Sequence, residues 1–251
     1  MVHKWEIHIP QLSPQLARIA YLCLPEGYGD DPERRYPVLY MFDGQNVFFD
    51  EDASFGTSWN MARYMQESGT PLIIAAVSCN TEGDNRLHEY SPFAHGTPSL
   101  GLIQGRGRTT MNWLVREFKP LIDSMARTLP GREDTLIAGS SMGGLMSLYA
   151  ATAYNDVFSR AACLSPSLWV DPRKVHRMIR RAHIAPDTLI YMDYGGEEMG
   201  NHSQTLGALC ATSRDLLLSG VDLTLRIVPG GTHSEASWAE RVPTFMHCLG
   251  F

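Results

Sequence analysis

Gly139-Ser140-Ser141-Met142-Gly143 reads G-x-S-x-G, the spacing that presents a serine hydroxyl for attack on an acyl carbon. The serine must stand at the tip of a turn so tight that its backbone is strained. Glycine on either side removes the bulk that would block that turn. A strand has to lead in and a helix has to lead out. The apolar run Thr135-Leu-Ile-Ala138 precedes the motif, and Leu145-Met-Ser-Leu-Tyr-Ala-Ala151, patterned as a helix, follows it. Such an elbow lifts the Ser141 hydroxyl above a sheet edge, beside a helix N-terminus. The Met142 backbone N–H then points at the oxygen of a bound acyl group. Alone, the pentapeptide also fits a plain capping turn with Ser140 or Ser141 as N-cap. The flanking patterns, and two features downstream, favour the nucleophile.

A serine hydroxyl is a weak nucleophile at neutral pH and needs a base, which an acid must orient. Of nine histidines, His233 lies in Pro229-Gly-Gly-Thr-His233-Ser, just past the last strand-like run. There a glycine-bearing loop can carry the imidazole over the sheet edge. His176 and His183 fall on or beside a surface helix, and His247 in the final helix. For the acid, Gly195-Gly196-Glu197-Glu198 follows a strand ending near Tyr194. Asp193 is still within that strand, and Glu197 and Glu198 compete beyond it. A second oxyanion donor is expected from Met41-Phe-Asp43-Gly44-Gln45-Asn46, the loop after the third strand. Gly44 lets the backbone turn so that the Gln45 N–H faces Met142, and Asp43 braces the loop through backbone amides. Asn46, with Trp59, Tyr90 and Trp169 (and Phe48 beside them), supplies the candidates for substrate contact.

These residues need a scaffold that brings strand ends together. Strand patterns run over Trp5–Ile9, Gln15–Leu24, Pro37–Phe42, Leu72–Cys79, Thr135–Ala138, Ala161–Leu164, Thr188–Tyr194 and Leu223–Val228. Helical patterns fall at Ser58–Glu67, Thr110–Leu129, Gly144–Tyr154, Pro172–Ala182, Thr205–Ser219 and Trp238–Leu249. The first two strands read as an antiparallel edge ribbon. The alternation that follows predicts an α/β fold, a mostly parallel eight-stranded sheet with helices on both faces and no large lid. The 251 residues fit one domain, 1–251. Asn80–Arg108, rich in Gly, Pro, Ser and charge, is the least regular stretch.

Composition narrows the partners. A net charge of -6 argues against nucleic acid, which demands a concentrated basic surface. The one basic stretch, Arg173–Arg181, alternates with Val175, Met178 and Ile179 at helical spacing and reads as a solvated helix face. No apolar run reaches membrane-spanning length, and the N-terminus lacks the layout of a secretory signal. The five cysteines are odd in number and scattered, with neither disulfide nor metal-ligand spacing. They predict reduced thiols in a cytoplasmic protein, and a Ser-His-acid mechanism requires no metal and no cofactor. Oligomeric state is open.

Gly139-Ser-Ser-Met-Gly-Gly-Leu-Met-Ser-Leu-Tyr149, Asp156-Val-Phe158 and Ser165-Pro-Ser-Leu-Trp169 together resemble the putative-esterase family of α/β-hydrolases. Tyr40-Met-Phe-Asp-Gly-Gln-Asn-Val-Phe48 and Asn85-Arg-Leu-His-Glu-Tyr-Ser-Pro92 extend that resemblance from about residue 15 to the C-terminus. The family includes enterochelin-type siderophore esterases, feruloyl esterases, S-formylglutathione hydrolases and mycolyltransferases. The resemblance implies Ser141 as nucleophile, His233 as base and Glu198 as acid, acting through an acyl-enzyme, and the lack of an insertion long enough for a large lid predicts an open cleft for a small or exposed ester. It further implies an Arg86–Glu89 pair holding the loop beside the site, with Tyr90 on the pocket wall. A thioesterase or S-formylglutathione-hydrolase-like enzyme, an acyltransferase and a catalytically silent binding module are the rival readings.

Overall fold

The computed structural model describes residues 1–97, 101–198 and 202–251. The chain opens on an antiparallel ribbon, β1 (Val2–Ile9) with β2 (Ser13–Cys23). Next come β3 (Val38–Met41), α1 (Met61–Ser68) and β4 (Ile73–Val77). A short helix α2 (Asn85–Glu89) and a hairpin of β5 (His95–Thr97) with β6 (Gly101–Ile103) then precede α3 (Gly107–Trp113) and α4 (Lys119–Met125). Strand and helix now alternate: β7 (Thr135–Ser140), α5 (Met142–Ala153), β8 (Arg160–Leu164), α6 (Pro172–Arg181) and β9 (Leu189–Gly195). The chain finishes with α7 (His202–Leu218), β10 (Asp222–Val228), α8 (Glu235–Ala239) and α9 (Val242–Cys248).

Eight strands form one sheet in the order β1-β2-β4-β3-β7-β8-β9-β10. All pairs from β4 to β10 are parallel, and β2 alone runs against its two neighbours. Each of the eight expected strands is present. The period-2 alternation of side chains splits the core in two. Tyr40, Ile73, Ile137, Cys163 and Met192 face α3 to α7, while Leu39, Ile74, Leu136, Ala162 and Tyr191 face α1, α8 and α9. Both faces are buried, so the central strands are apolar throughout.

Prolines set the differences from the expected helices. Trp238–Leu249 divides into α8 and α9 because Pro243 has no N–H to continue the ladder. Likewise Pro120 accompanies a π-turn at Leu114–Phe118 that joins α3 to α4. The irregular stretch 80–108 holds α2 and the β5–β6 hairpin, neither expected from the sequence. On α6, Val175 and Ile179 are buried and the arginines point outward, the solvated face anticipated. No helix among the described residues is long and apolar enough to cross a membrane.

The parallel sheet brings the C-terminal ends of β3, β7, β9 and β10 to one edge, where open α/β sheets build their sites. Four loops converge there, carrying Asp43–Asn46, Ser141, Gly196–Glu198 and Pro229–His233.

Candidate active site

Ser141 occupies the turn between β7 and α5 with φ 56 and ψ -118, a backbone region that side-chain-bearing residues rarely adopt. The glycines make that turn possible. A Cβ on Gly139 would lie 2.7 Å from the Gly143 carbonyl carbon, and one on Gly144 would lie 2.7 Å from the Leu164 carbonyl oxygen. The turn is tied down at both ends: Ser141 N donates to Leu164 O (2.9 Å), and Leu145 N donates to Ser141 O (3.0 Å). Among the described residues the Ser141 hydroxyl meets Ser167 Oγ at 3.3 Å, and no hydrogen bond joins it to His233. Such contacts are often long before substrate binds.

His233 Nδ1 lies 2.8 Å from Glu198 Oε2. That contact leaves Nε2 as the nitrogen available to the cavity. The imidazole stands edge-on to the Trp238 ring, with centroids 4.9 Å apart. Glu198 is buried at 4 % exposure, whereas Glu197 is exposed. The other Glu198 oxygen accepts from Gly195 N (2.7 Å) and from the Ser165 hydroxyl. Burial pushes the Glu198 carboxyl up, but the hydrogen bonds from His233, Ser165 and Gly195 outweigh it and hold the group below the usual glutamate range.

Behind this pair lies a buried layer that the sequence reading missed. Arg241 Nη1 donates to Asp193 Oδ1 and to Ser165 Oγ, both at 3.0 Å. Its Nη2 donates to the Thr232 carbonyl (3.1 Å) and to Ser237 Oγ (3.0 Å). Trp238 Nε1 also donates to Ser165 Oγ at 3.0 Å. One guanidinium therefore ties β9 to the His233 loop. The two backbones also touch, since a Cβ on Gly195 would fall 2.3 Å from Gly231 O. A signal for Arg241 was present: it sits at helical spacing from Trp238 and Phe245, on the apolar side of its segment, where a charge requires a buried partner.

Asp43 and Gln45 lie opposite. Asp43 takes φ 56 and ψ 51 before the Gly44–Asn46 turn, and Gly44 is forced because a Cβ there would sit 2.7 Å from the Val77 backbone. The Gln45 side chain is spent on Cys79, accepting from its N–H at 3.0 Å. Neither the Gln45 nor the Met142 backbone N–H has an acceptor among the described residues. Asn46 Nδ2 donates to Glu235 Oε1 at 3.1 Å.

Three expectations are corrected. Asp43 does not brace its loop through backbone amides; both its carboxylate oxygens accept from Arg86. Arg86 does not pair with Glu89. It forms a bidentate pair with Asp43, Nε to Oδ1 at 2.7 Å and Nη2 to Oδ2 at 2.6 Å, and Glu89 goes to Arg18 at 2.8 and 2.9 Å. On α2 the two side chains point to opposite sides, one toward the site and one into the core. Trp59 and Tyr90, named for substrate contact, are buried: Trp59 packs on Trp238 and Phe245, and Tyr90 stands edge-on to Phe42 with its hydroxyl accepting from Asp43 N. Phe48 is likewise core.

Two cavities flank His233. One of about 580 Å³ is lined by Asn46, Arg86, Ser141, His233 and Glu235. The other, about 660 Å³, is lined by Ser167, Trp169, Tyr194, Glu197 and His233, and Trp169 is 47 % exposed. No cluster of three metal-ligating side chains occurs among the described residues.

The site sits on a sheet shared with known proteins. The chain is similar to the "Uncharacterized protein YbbA" of Bacillus subtilis (strain 168), 25% identical over 188 residues, covering 74% of this chain and 70% of that one. Its fold matches an IroE-like serine hydrolase from Shewanella oneidensis with a TM-score of 0.77 at 21% identity, covering 99% of this chain and 79% of that one. It also matches the siderophore hydrolase EstA from Aspergillus nidulans with a TM-score of 0.71 at 17% identity, covering 100% and 95%. The profile of the family described as "Putative esterase" matches residues 3–246, and the chain belongs to that family.

Proposed function

We propose that this esterase is a serine carboxylic-ester hydrolase working through a Ser141–His233–Glu198 triad and an acyl-enzyme. The observation that carries the reading is the 2.8 Å contact of His233 Nδ1 with Glu198, made beside a serine held at φ 56 in the same cavity. Ser141 Oγ leaves Ser167, attacks the ester carbonyl carbon and gives its proton to His233 Nε2. Glu198 keeps the imidazole oriented and stabilises the imidazolium. The unpaired N–H groups of Met142 and Gln45 receive the oxyanion. Collapse expels the alcohol, protonated by His233. Water activated by the same imidazole then cleaves the acyl-enzyme and frees the acid.

The two cavities give the acyl and alcohol halves of an ester separate sides of His233. With Trp169 half exposed on the wall of the second cavity, a small or exposed ester with an aromatic or short acyl group fits best. The resemblance to a siderophore hydrolase supports testing lactone-type esters as well.

The test is hydrolysis of p-nitrophenyl esters from acetate to octanoate, and of a feruloyl ester, by wild type and by Ser141→Ala. Wild-type turnover that falls on the order of a million-fold in the variant is the expected result. The chain-length profile then sizes the acyl side. Equal turnover in both proteins, or no turnover and no labelling of Ser141 by a phosphonate, would remove the proposal.

A further inference from the structure

The sheet ends at β10, which pairs with β9 and with no other strand among the described residues. Asp222 N donates to Thr188 O, and Val228 O accepts from Gly196 N, so the even-numbered residues of β10 turn their backbone groups inward to β9. Leu223, Leu225 and Ile227 therefore present their N–H and C=O groups to the free edge. Their side chains point to the α7 face, where Leu223 is half-buried but Leu225 and Ile227 remain 40 % and 45 % exposed. On α7 itself Leu206 and Leu217 are exposed too, and they share one helical stripe. An edge with open hydrogen-bonding groups beside uncovered leucines is a template for another strand.

The sequence of β10 indicates which strand. Two copies placed antiparallel about a two-fold axis at Thr224 set Leu223 opposite Leu225 and Val221 opposite Ile227, all with outward-facing backbone. These become the hydrogen-bonded pairs. Asp222 then falls opposite Arg226, twice by symmetry, with Thr224 opposite itself. Those are the non-hydrogen-bonded positions, where facing side chains come closest. Asp222 and Arg226 are both exposed, neither has an ion-pair partner among the described residues, and Arg226 donates to the Thr244 hydroxyl at 3.0 Å. The same axis lays α7 antiparallel to its own copy, bringing the Leu206 and Leu217 ends of the two stripes together. A shift to a Leu225-centred register keeps the hydrogen bonds but sets Arg226 opposite Thr224 and loses both ion pairs. Charge thus selects the Thr224 register.

We propose that β10 is a homodimerisation edge, a second copy of this chain pairing antiparallel about Thr224 to continue the sheet. This isologous contact buries the exposed leucines of β10 and α7. Since β10 runs directly into the Pro229–His233 loop, the pairing also steadies the strand that carries the candidate base.

Sedimentation velocity over a wide concentration range tests this, on wild type, Arg226→Asp, the Asp222→Arg/Arg226→Asp swap, and Leu225→Pro. Wild type is expected to dimerise. Arg226→Asp sets carboxylates against each other at both symmetric positions and weakens the dimer roughly ten- to hundredfold. The swap restores it. Leu225→Pro removes an outward N–H, which a monomer tolerates on an edge strand, and abolishes pairing. Circular-dichroism melts show that each variant is folded. A wild type that stays monomeric leaves this edge to another protein and overturns the proposal. So does a dimer that Arg226→Asp leaves unchanged, or a swap that fails to restore the dimer.

Discussion

Replacing Arg241 by methionine keeps the aliphatic volume beneath His233 and removes the charge that Asp193 depends on. Arg241 is 3 % exposed and Asp193 is fully buried, with 3.0 Å between them. Breaking such a pair from one side leaves an uncompensated carboxylate in the core and costs about 3–5 kcal/mol. A domain's whole stability is about 5–15 kcal/mol, so this loss is large. The pH dependence identifies the cause. Burial already raises the Asp193 carboxyl above its ordinary value, with Arg241, Tyr191 and the Ser165 amide opposing that rise. Without Arg241 it rises further. A carboxyl whose folded-state pKa exceeds its unfolded value of about 3.9 destabilises the protein as pH climbs through the folded value. The deficit of Arg241→Met should therefore be greatest at neutral to alkaline pH and shrink as pH falls and Asp193 takes up its proton. Adding Asp193→Asn should recover half or more of the loss. Urea unfolding of wild type, the single variant and the double variant, at acid and alkaline pH, reads all three outcomes. A deficit under about 1 kcal/mol, or one that neither pH nor the second substitution alters, would refute the argument.

Glu198→Gln should lower kcat roughly ten-thousandfold with the fold retained, because His233 loses the partner that sets its tautomer; steady-state kinetics on a p-nitrophenyl ester checks this. The Glu198 carboxyl is held below the usual glutamate range, so its stabilisation is present above the unfolded value of about 4.3 and disappears as pH falls through the lower folded value. Melts of this variant should therefore trail wild type near neutrality and converge with it in acid. Ser165→Ala strips Glu198 of a donor and leaves Trp238 Nε1 and one Arg241 nitrogen short of an acceptor, costing about 1–3 kcal/mol in urea titration. Gly139→Ala puts a methyl 2.7 Å from the Gly143 carbonyl carbon, and should cost about 1–3 kcal/mol and most of the activity, read as a lower Tm and a lower kcat.

Much of the molecule was legible in one dimension because its determinants are local. The elbow is a strand, two glycines and a helix within one short stretch, and each piece carries its own pattern. The same holds for the eight strands, whose apolar runs mark them wherever they end up in the sheet. The positions of Gly195–Glu198 and Pro229–His233 followed from chain order alone, since parallel strands deliver the residues after them to one edge. The β5–β6 hairpin and α2 escaped notice because neither is long enough to build a period.

Pairing is where one dimension ran out. Arg86 and Glu89 are neighbours on one helical turn, yet each takes a partner far away in sequence: Asp43 at the site and Arg18 in the core. Trp59 and Tyr90 have the composition of a pocket wall but turn inward, because packing against Trp238 and Phe42 removes more aromatic surface from water than a cleft would. Glu197 and Glu198 are adjacent and chemically equivalent. Only the direction of the turn after β9 sends one to solvent and the other to His233 and Ser165. By itself the sequence determined which elements form and which residues reach the C-terminal edge, because periodicity and turn chemistry are properties of neighbouring residues. Which charges meet, which aromatics are covered and which strand stays open at the sheet's end was decided by tertiary structure, because those contacts join residues that only the packed sheet brings within reach.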